Sequence, residues 1–237
     1  MNNSRRKVAR AIFMDCDGII FDSNPAKAEV FRIALAAYPK TEVARLESWL
    51  ASQGGISRYV LLERFFTEIH IFADVKAALK RALVDFGEAS VAAYRNLQPL
   101  LEALQFAEAM GGAESVTVVS GSDQEELRSV FDDHGISNRF RDVLGSPTTK
   151  PVHMERVMAE LGAEEGVMIG DGRADFDAAR ALNLDFVFLA QYSDWVTAEL
   201  DLKDAPRTRI VHTWQELLAE DGPRQAGVST YRGKGQD

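Results

Sequence analysis

Four short apolar runs in this chain each end at a polar or glycine position, and this arrangement limits the possible folds more than any other feature. Residues 11–14 run into Asp15, residues 116–119 into Ser120, residues 142–144 into Gly145, and residues 167–169 into Gly170 and Asp171. Their length and lack of alternation suit strands buried on both faces. Residues 186–189 and 209–211 read as two more. Helical patterns separate the runs. One covers residues 124–133, is preceded by a capping box from Ser122 to Glu125, and closes at His134 and Gly135. Another opens at Pro151 and stops at Gly162. Strand and helix in alternation predict an α/β fold with a doubly wound, Rossmann-like parallel sheet.

Residues 24–96 break that rhythm with several helical patterns and no strand, so they read as an inserted α-helical cap. Asn24 and Pro25 supply a cap and a first-turn proline, after which Ala28, Phe31, Leu35 and Tyr38 share one helical face. Further helices are predicted over 42–50, 58–69 and 74–91. The predicted organisation is a catalytic core of residues 1–23 and 97–220, the cap at 24–96, and a disordered tail at 221–237, where large apolar residues are few.

Composition narrows the class of function. A formal net charge of −9 argues against a broad nucleic-acid-binding face, which needs clustered Lys and Arg. Cys16 is the single cysteine, and the four histidines show no metal-ligand spacing, which points to a reducing compartment and no zinc site. The apolar segment after the basic N-terminus is too short and too acidic for a signal peptide, and no run approaches the ~20 apolar residues that cross a bilayer. The expectation is a soluble cytoplasmic protein with neither nucleic-acid nor membrane partners. Oligomeric state is not encoded in any feature of the sequence.

Ligands of open α/β sheets bind beyond the carboxyl ends of the strands, so the residues that follow each run should converge. Here these are Asp15, Asp17 and Asp22, then Ser120 and Gly121, then Lys150, then Asp171 and Asp175. Carboxylates gathered in one crevice resist ionisation unless a cation neutralises them. Oxygen ligands without His or Cys favour Mg²⁺. Lys150 and Ser120, with backbone amides of the following helix, would hold an anion beside the metal, and a phosphate fits. A carboxylate so placed can attack phosphorus. Asp17, two residues beyond Asp15, lies on the same side of an extended strand end and can handle a proton. Cys16 points the other way, into the core. Asp22 reads as a brace for the loop before Asn24, and Asp177 as a solvated helix residue.

The segments Asp15-Cys16-Asp17-Gly18-Ile19-Ile20-Phe21-Asp22, Val118-Val119-Ser120-Gly121-Ser122, Lys150-Pro151 and Gly170-Asp171-Gly172-Arg173-Ala174-Asp175 resemble, in order, the four motifs of the haloacid dehalogenase superfamily. The helical insert directly after the first motif is similar to the subfamily of phosphoglycolate phosphatase and β-phosphoglucomutase. The resemblance implies a mobile cap, Asp15 as nucleophile and metal ligand, and Asp17 as general acid/base that also ligates through its backbone carbonyl. It further implies phosphate binding by Ser120 and Gly121, neutralisation by Lys150, and Mg²⁺ binding by Asp171 with Asp175. The founding dehalogenases lack an aspartate at the position of Asp17, so its presence favours phosphoryl transfer.

The expected activity is hydrolysis of a small phosphomonoester, a sugar phosphate or similar metabolite, through an aspartyl phosphate on Asp15. Gly55, Ser57 and Arg58 are the cap residues expected to select the substrate, because two glycines permit close backbone approach and an arginine can reach an anion. The alternatives are a phosphomutase, with Arg58 and Lys27 as its second phosphate site, and a non-catalytic phosphate-binding regulator.

Overall fold

The protein is described by a computed structural model covering residues 10–50, 58–71 and 74–221. The chain enters with strand β1 (Arg10–Met14) and then leaves the sheet for helices α1 (Asn24–Ala34), α2 (Lys40–Leu50), α3 (Arg58–Arg64) and α4 (Val75–Asn96). It returns through α5 (Leu101–Ala109) to β2 (Val116–Asp123), α6 (Gln124–Asp133), β3 (Asp142–Ser146), α7 (Lys150–Leu161) and β4 (Glu165–Gly170). The last part is α8 (Arg173–Ala181), β5 (Asp185–Leu189), α9 (Ala198–Leu202), β6 (Thr208–Val211) and α10 (Trp214–Asp221).

All six strands are parallel, in the order β3-β2-β1-β4-β5-β6. β1 lies inside the sheet, with Met14 opposite Val118 on one side and Ile169 on the other. Ile12 and Met14 pack into a core with α5, α6 and α10, whereas Ala11 and Phe13 enter the opposite core with α7, α8 and α9. Burial on both faces therefore explains the absence of polar alternation. Ile12, Phe13 and Met14 each contribute about 1.5–3 kcal/mol of burial free energy. Cys16 is buried in the first of these cores. Among the described residues, no helix is long and apolar enough to cross a membrane.

The helices between β1 and β2 have a core of their own, which includes Phe31, Leu35, Leu46, Leu62, Phe65, Phe66 and Phe86. Phe31 meets Phe86 edge-on at 4.7 Å. The helix expected over 58–69 changes its winding after Arg64 and becomes π-helical over Phe65–Ile69. That change lets Phe65 and Phe66 both turn inward around Tyr38, whose ring lies 5.5 and 5.2 Å from theirs. α4 runs beyond the expected end at residue 91, because Tyr94 is buried in the sheet's core against Phe21, with ring centroids 5.6 Å apart. Leu97 then turns extended, two residues before Pro99.

Three local expectations are corrected. The N-cap of α6 is Asp123, whose carboxylate accepts from the amides of Glu125 and Glu126, and not Ser122. Asn24 does not cap α1: its side chain points across to Asp171 and Tyr192. Asp221, placed in the tail by composition, is the last residue of α10. It is held there by an ion pair with Arg209. Residues 222–237 lie outside the described residues.

Candidate active site

The strand ends deliver the site. β1 stops at Met14, and the Asp15 amide still reaches the Ile169 carbonyl of β4 at 2.9 Å, so Asp15 stands at the lip of the sheet. The chain next makes a tight loop in which the amides of Ile20 and Phe21 donate to Cys16 O. Gly18 sits in this loop at φ +71°, and a Cβ there would lie 2.1 Å from Asp171 Oδ2. Only glycine satisfies both the backbone angle and this approach.

Asp15, Asp171 and Asp175 each place one carboxylate oxygen within 4.8 Å of the others, and all three residues are buried. Lys150, at the start of α7, reaches between them. Its ammonium lies 2.8 Å from Asp15 Oδ1 and donates to Asp175 Oδ1. The Asp15 contact is an ion pair off hydrogen-bond angles, so Asp15 Oδ1 is a buried acceptor without a hydrogen-bond partner. Asp175 also accepts from the Gly172 amide at 3.1 Å, and Asp171 accepts from Asn24 Nδ2 at 2.8 Å.

Asp17 is handled differently. Its carboxylate pairs with Lys27 Nζ at 2.9 Å and accepts from the Ser23 and Tyr94 hydroxyls. It takes no part in the carboxylate trio.

Electrostatics separate these acids. Burial, reinforced by the Asp175 charge, pushes Asp15 up to about 7 despite Lys150. Burial and the charges of Asp15 and Asp175 push Asp171 well above the carboxylate range. Burial would also raise Asp17, but Lys27 and the two hydroxyl donors outweigh it and hold Asp17 low. Burial would lower Lys150, yet Asp15 and Asp175 more than compensate and keep it charged. A cluster of crowded carboxylates, two of them reluctant to ionise, fits a hard divalent cation held by oxygen ligands.

A cavity of about 180 Å³ opens above this cluster. Asp15, Asp17, Lys150 and Asp171 line its floor, together with Gly121 and Ser122. Ser120 is buried beneath them, and its hydroxyl accepts from the Ser122 amide at 3.1 Å. Asp22 and Asp175 do not line the cavity. Among the expected cap residues, Gly55 and Ser57 lie outside the described residues. Arg58 lines the cavity but is not a free anion receptor. It pairs with Glu126 of α6 at 2.6 Å and lies over the Phe86 ring at 4.4 Å.

Lys27, Tyr94, Asn24 and Ser23 are contributors that sequence reasoning passed over or placed elsewhere. Lys27 follows Asn24 by three residues on α1, so a helical wheel puts them on one face, turned to the same carboxylates. Tyr94 carries no local signal; only the length of α4 brings it to Asp17.

The family model for haloacid dehalogenase-like hydrolases matches residues 9–183, most of the chain. The chain belongs to the haloacid dehalogenase-like hydrolase family. By that membership it is an enzyme, a hydrolase. A phosphoglycolate phosphatase from Photobacterium profundum is 26% identical over 193 residues, spanning 75% of this chain and 82% of that protein. Among solved structures, a predicted phosphoglycolate phosphatase from Haemophilus somnus 129PT superposes on this hydrolase with a TM-score of 0.69. It is 18% identical, covering 92% of this chain and 99% of that one. A protein assigned as a β-phosphoglucomutase from Thermotoga maritima has a TM-score of 0.60 at 15% identity, covering 89% and 97%. Both structures share the fold.

Proposed function

We propose that this hydrolase is a Mg²⁺-dependent phosphatase that transfers the phosphoryl group of a small phosphomonoester to Asp15 and then releases it to water. The observation that carries the reading is the buried meeting of Asp15, Asp171, Asp175 and Lys150, with Asp15 Oδ1 lacking a hydrogen-bond partner. Asp15 and Asp171, with help from Asp175 and the Asp17 backbone carbonyl, would hold Mg²⁺. Its charge would offset the negative charge gathered on the transferring phosphoryl oxygens.

Asp15 attacks phosphorus and displaces the ester oxygen, which takes a proton from Asp17 and leaves as the free alcohol. Water then attacks the aspartyl phosphate, gives its proton to Asp17, and frees inorganic phosphate and the Asp15 carboxylate. Lys150 fixes the Asp15 carboxylate and adds positive charge where the phosphoryl oxygens gather. Gly121, on the cavity floor, and the Ser120 hydroxyl beneath it would bind the phosphate. Lys27, Ser23 and Tyr94 hold Asp17 in its base form, the form needed for the water step. Lys27 and Tyr94 ride on α1 and α4, so displacement of these cap helices would remove two of the three partners that keep Asp17 ionised.

A mutase of this architecture would require a second phosphate site in the cap. Its candidates, Arg58 and Lys27, are neutralised by Glu126 and Asp17, which favours the phosphatase reading. A cytoplasmic location suits a single, fully buried thiol. The test is phosphate release from a panel of phosphorylated metabolites, with and without Mg²⁺, for the wild type and Asp15→Asn. Release that needs Mg²⁺ and disappears in the variant supports the reading, whereas normal turnover by Asp15→Asn refutes it.

A further inference from the structure

We propose that the alcohol side of the substrate is a small, uncharged group of only a few carbons, and that an ester carrying a second anion is rejected. The inference rests on the phosphatase reading of the same cavity. Among the described residues its upper wall draws on α1–α4, with Val30, Phe31, Leu61 and Phe86 as its apolar surface beside Glu47 and Ser90. A volume of about 180 Å³ is below the usual range of small-molecule sites, so beyond a phosphoryl group it leaves room for a short chain only.

Charge decides the chemistry of that chain. Three cations line the cavity among the described residues, and each already has its anion. Lys150 is paired with Asp15, Lys27 with Asp17, and Arg58 with Glu126 at 2.6 Å. Arg58 is the sole one of the three at the cap end, and its side chain is only 4% exposed. The pairing with Glu126 is built in: Gly87 of α4 has no Cβ, and one added there would stand 2.3 Å from Glu126 Oε1. The Glu126 carboxylate thus reaches α4 through the gap that glycine leaves, beside the Arg58 guanidinium. A carboxylate or second phosphate on the substrate would be buried against apolar side chains and would have to displace Glu126, leaving that half-buried carboxylate without its cation. Arg58 Nε remains a buried donor without a partner, so one neutral oxygen on the leaving group is accommodated.

A matched pair of esters tests this. n-Propyl phosphate and phosphoglycolate have leaving groups of similar length, and only the second carries a carboxylate. With Mg²⁺ present, the wild type should show kcat/KM for n-propyl phosphate at least about tenfold above that for phosphoglycolate. Glu126→Gln leaves the Arg58 charge unmatched, and the ratio should move toward phosphoglycolate by about tenfold. The ratio is internal to each variant, so a general loss of folded enzyme does not imitate the shift. Equal or better use of phosphoglycolate by the wild type, or an unchanged ratio in Glu126→Gln, overturns the inference and leaves the phosphatase reading standing. Absence of phosphate release from both esters and from every metabolite of the wider panel removes that reading, and this inference with it.

Discussion

The two ends of the cavity are built on opposite principles. At the sheet, three acids and a lysine are crowded into a buried cluster, where burial makes the ionisation of Asp15 and Asp171 costly. At the cap, the walls are apolar, and the one guanidinium is neutralised by a partner from α6. Under the proposed function, chemistry would belong to one end and selection to the other. On the proposed reading, charged groups at the sheet would make phosphoryl transfer feasible, while the cap would select by shape and neutrality which ester reaches them.

The largest way to break the comparison lies at the sheet. Asp15→Asn removes the attacking carboxylate and should lower Mg²⁺-dependent phosphate release by about four orders of magnitude or more, measured as kcat. Loss of stability should not accompany it, because one of three mutually repelling carboxylates is removed. At the cap the expectation reverses. Leu62 is fully buried in the cap's own core and does not line the cavity, so Leu62→Ala should cost about 2–5 kcal/mol in urea unfolding while kcat for the folded enzyme changes little.

Proton linkage sharpens the difference further. Asp15 is pushed up to about 7 in the folded protein, against about 3.9 in an unfolded chain, so the folded state binds more protons between those values. Stability of the metal-free protein should therefore be greatest below about pH 4 as far as this group is concerned, and fall as pH rises through 7. Thermal melts should show a loss on the order of a few kcal/mol between pH 5 and 8. Mg²⁺ should reduce that fall, because a bound cation favours the ionised carboxylates. The smallest effect is expected where cap and core touch outside the cavity. Tyr59 donates to Asp123, the cap of α6, at 2.7 Å, and Tyr59→Phe should cost about 0.5–1.5 kcal/mol with unchanged preference among esters.

Legibility followed the same division. Asp15, Lys150, Asp171 and Asp175 stand at or just past strand ends, and strand ends show in a sequence as abrupt stops of apolar runs. Their convergence follows from parallel topology alone. Asn24 illustrates the limit. Its place before Pro25 is a strong capping signal, yet its amide is taken by Asp171, 147 residues away in the chain. Arg58 is a second case: a basic side chain above an anion site reads as a receptor until Glu126 is seen against it. Ser122 lost the capping role to Asp123, a neighbour with an equally suitable side chain, because β2 continues to residue 123.

By itself the amino-acid order determined the layers, the parallel sheet, the helical insert and the acids at the rim. Those depend on periodicity, chain stops and local steric rules, which act over a few residues. Tertiary structure alone decided which groups hold Asp17, which cation is already neutralised, and how little room the cap leaves. Pairings between residues far apart in the chain depend on how helices pack, and packing is a property of the assembled core.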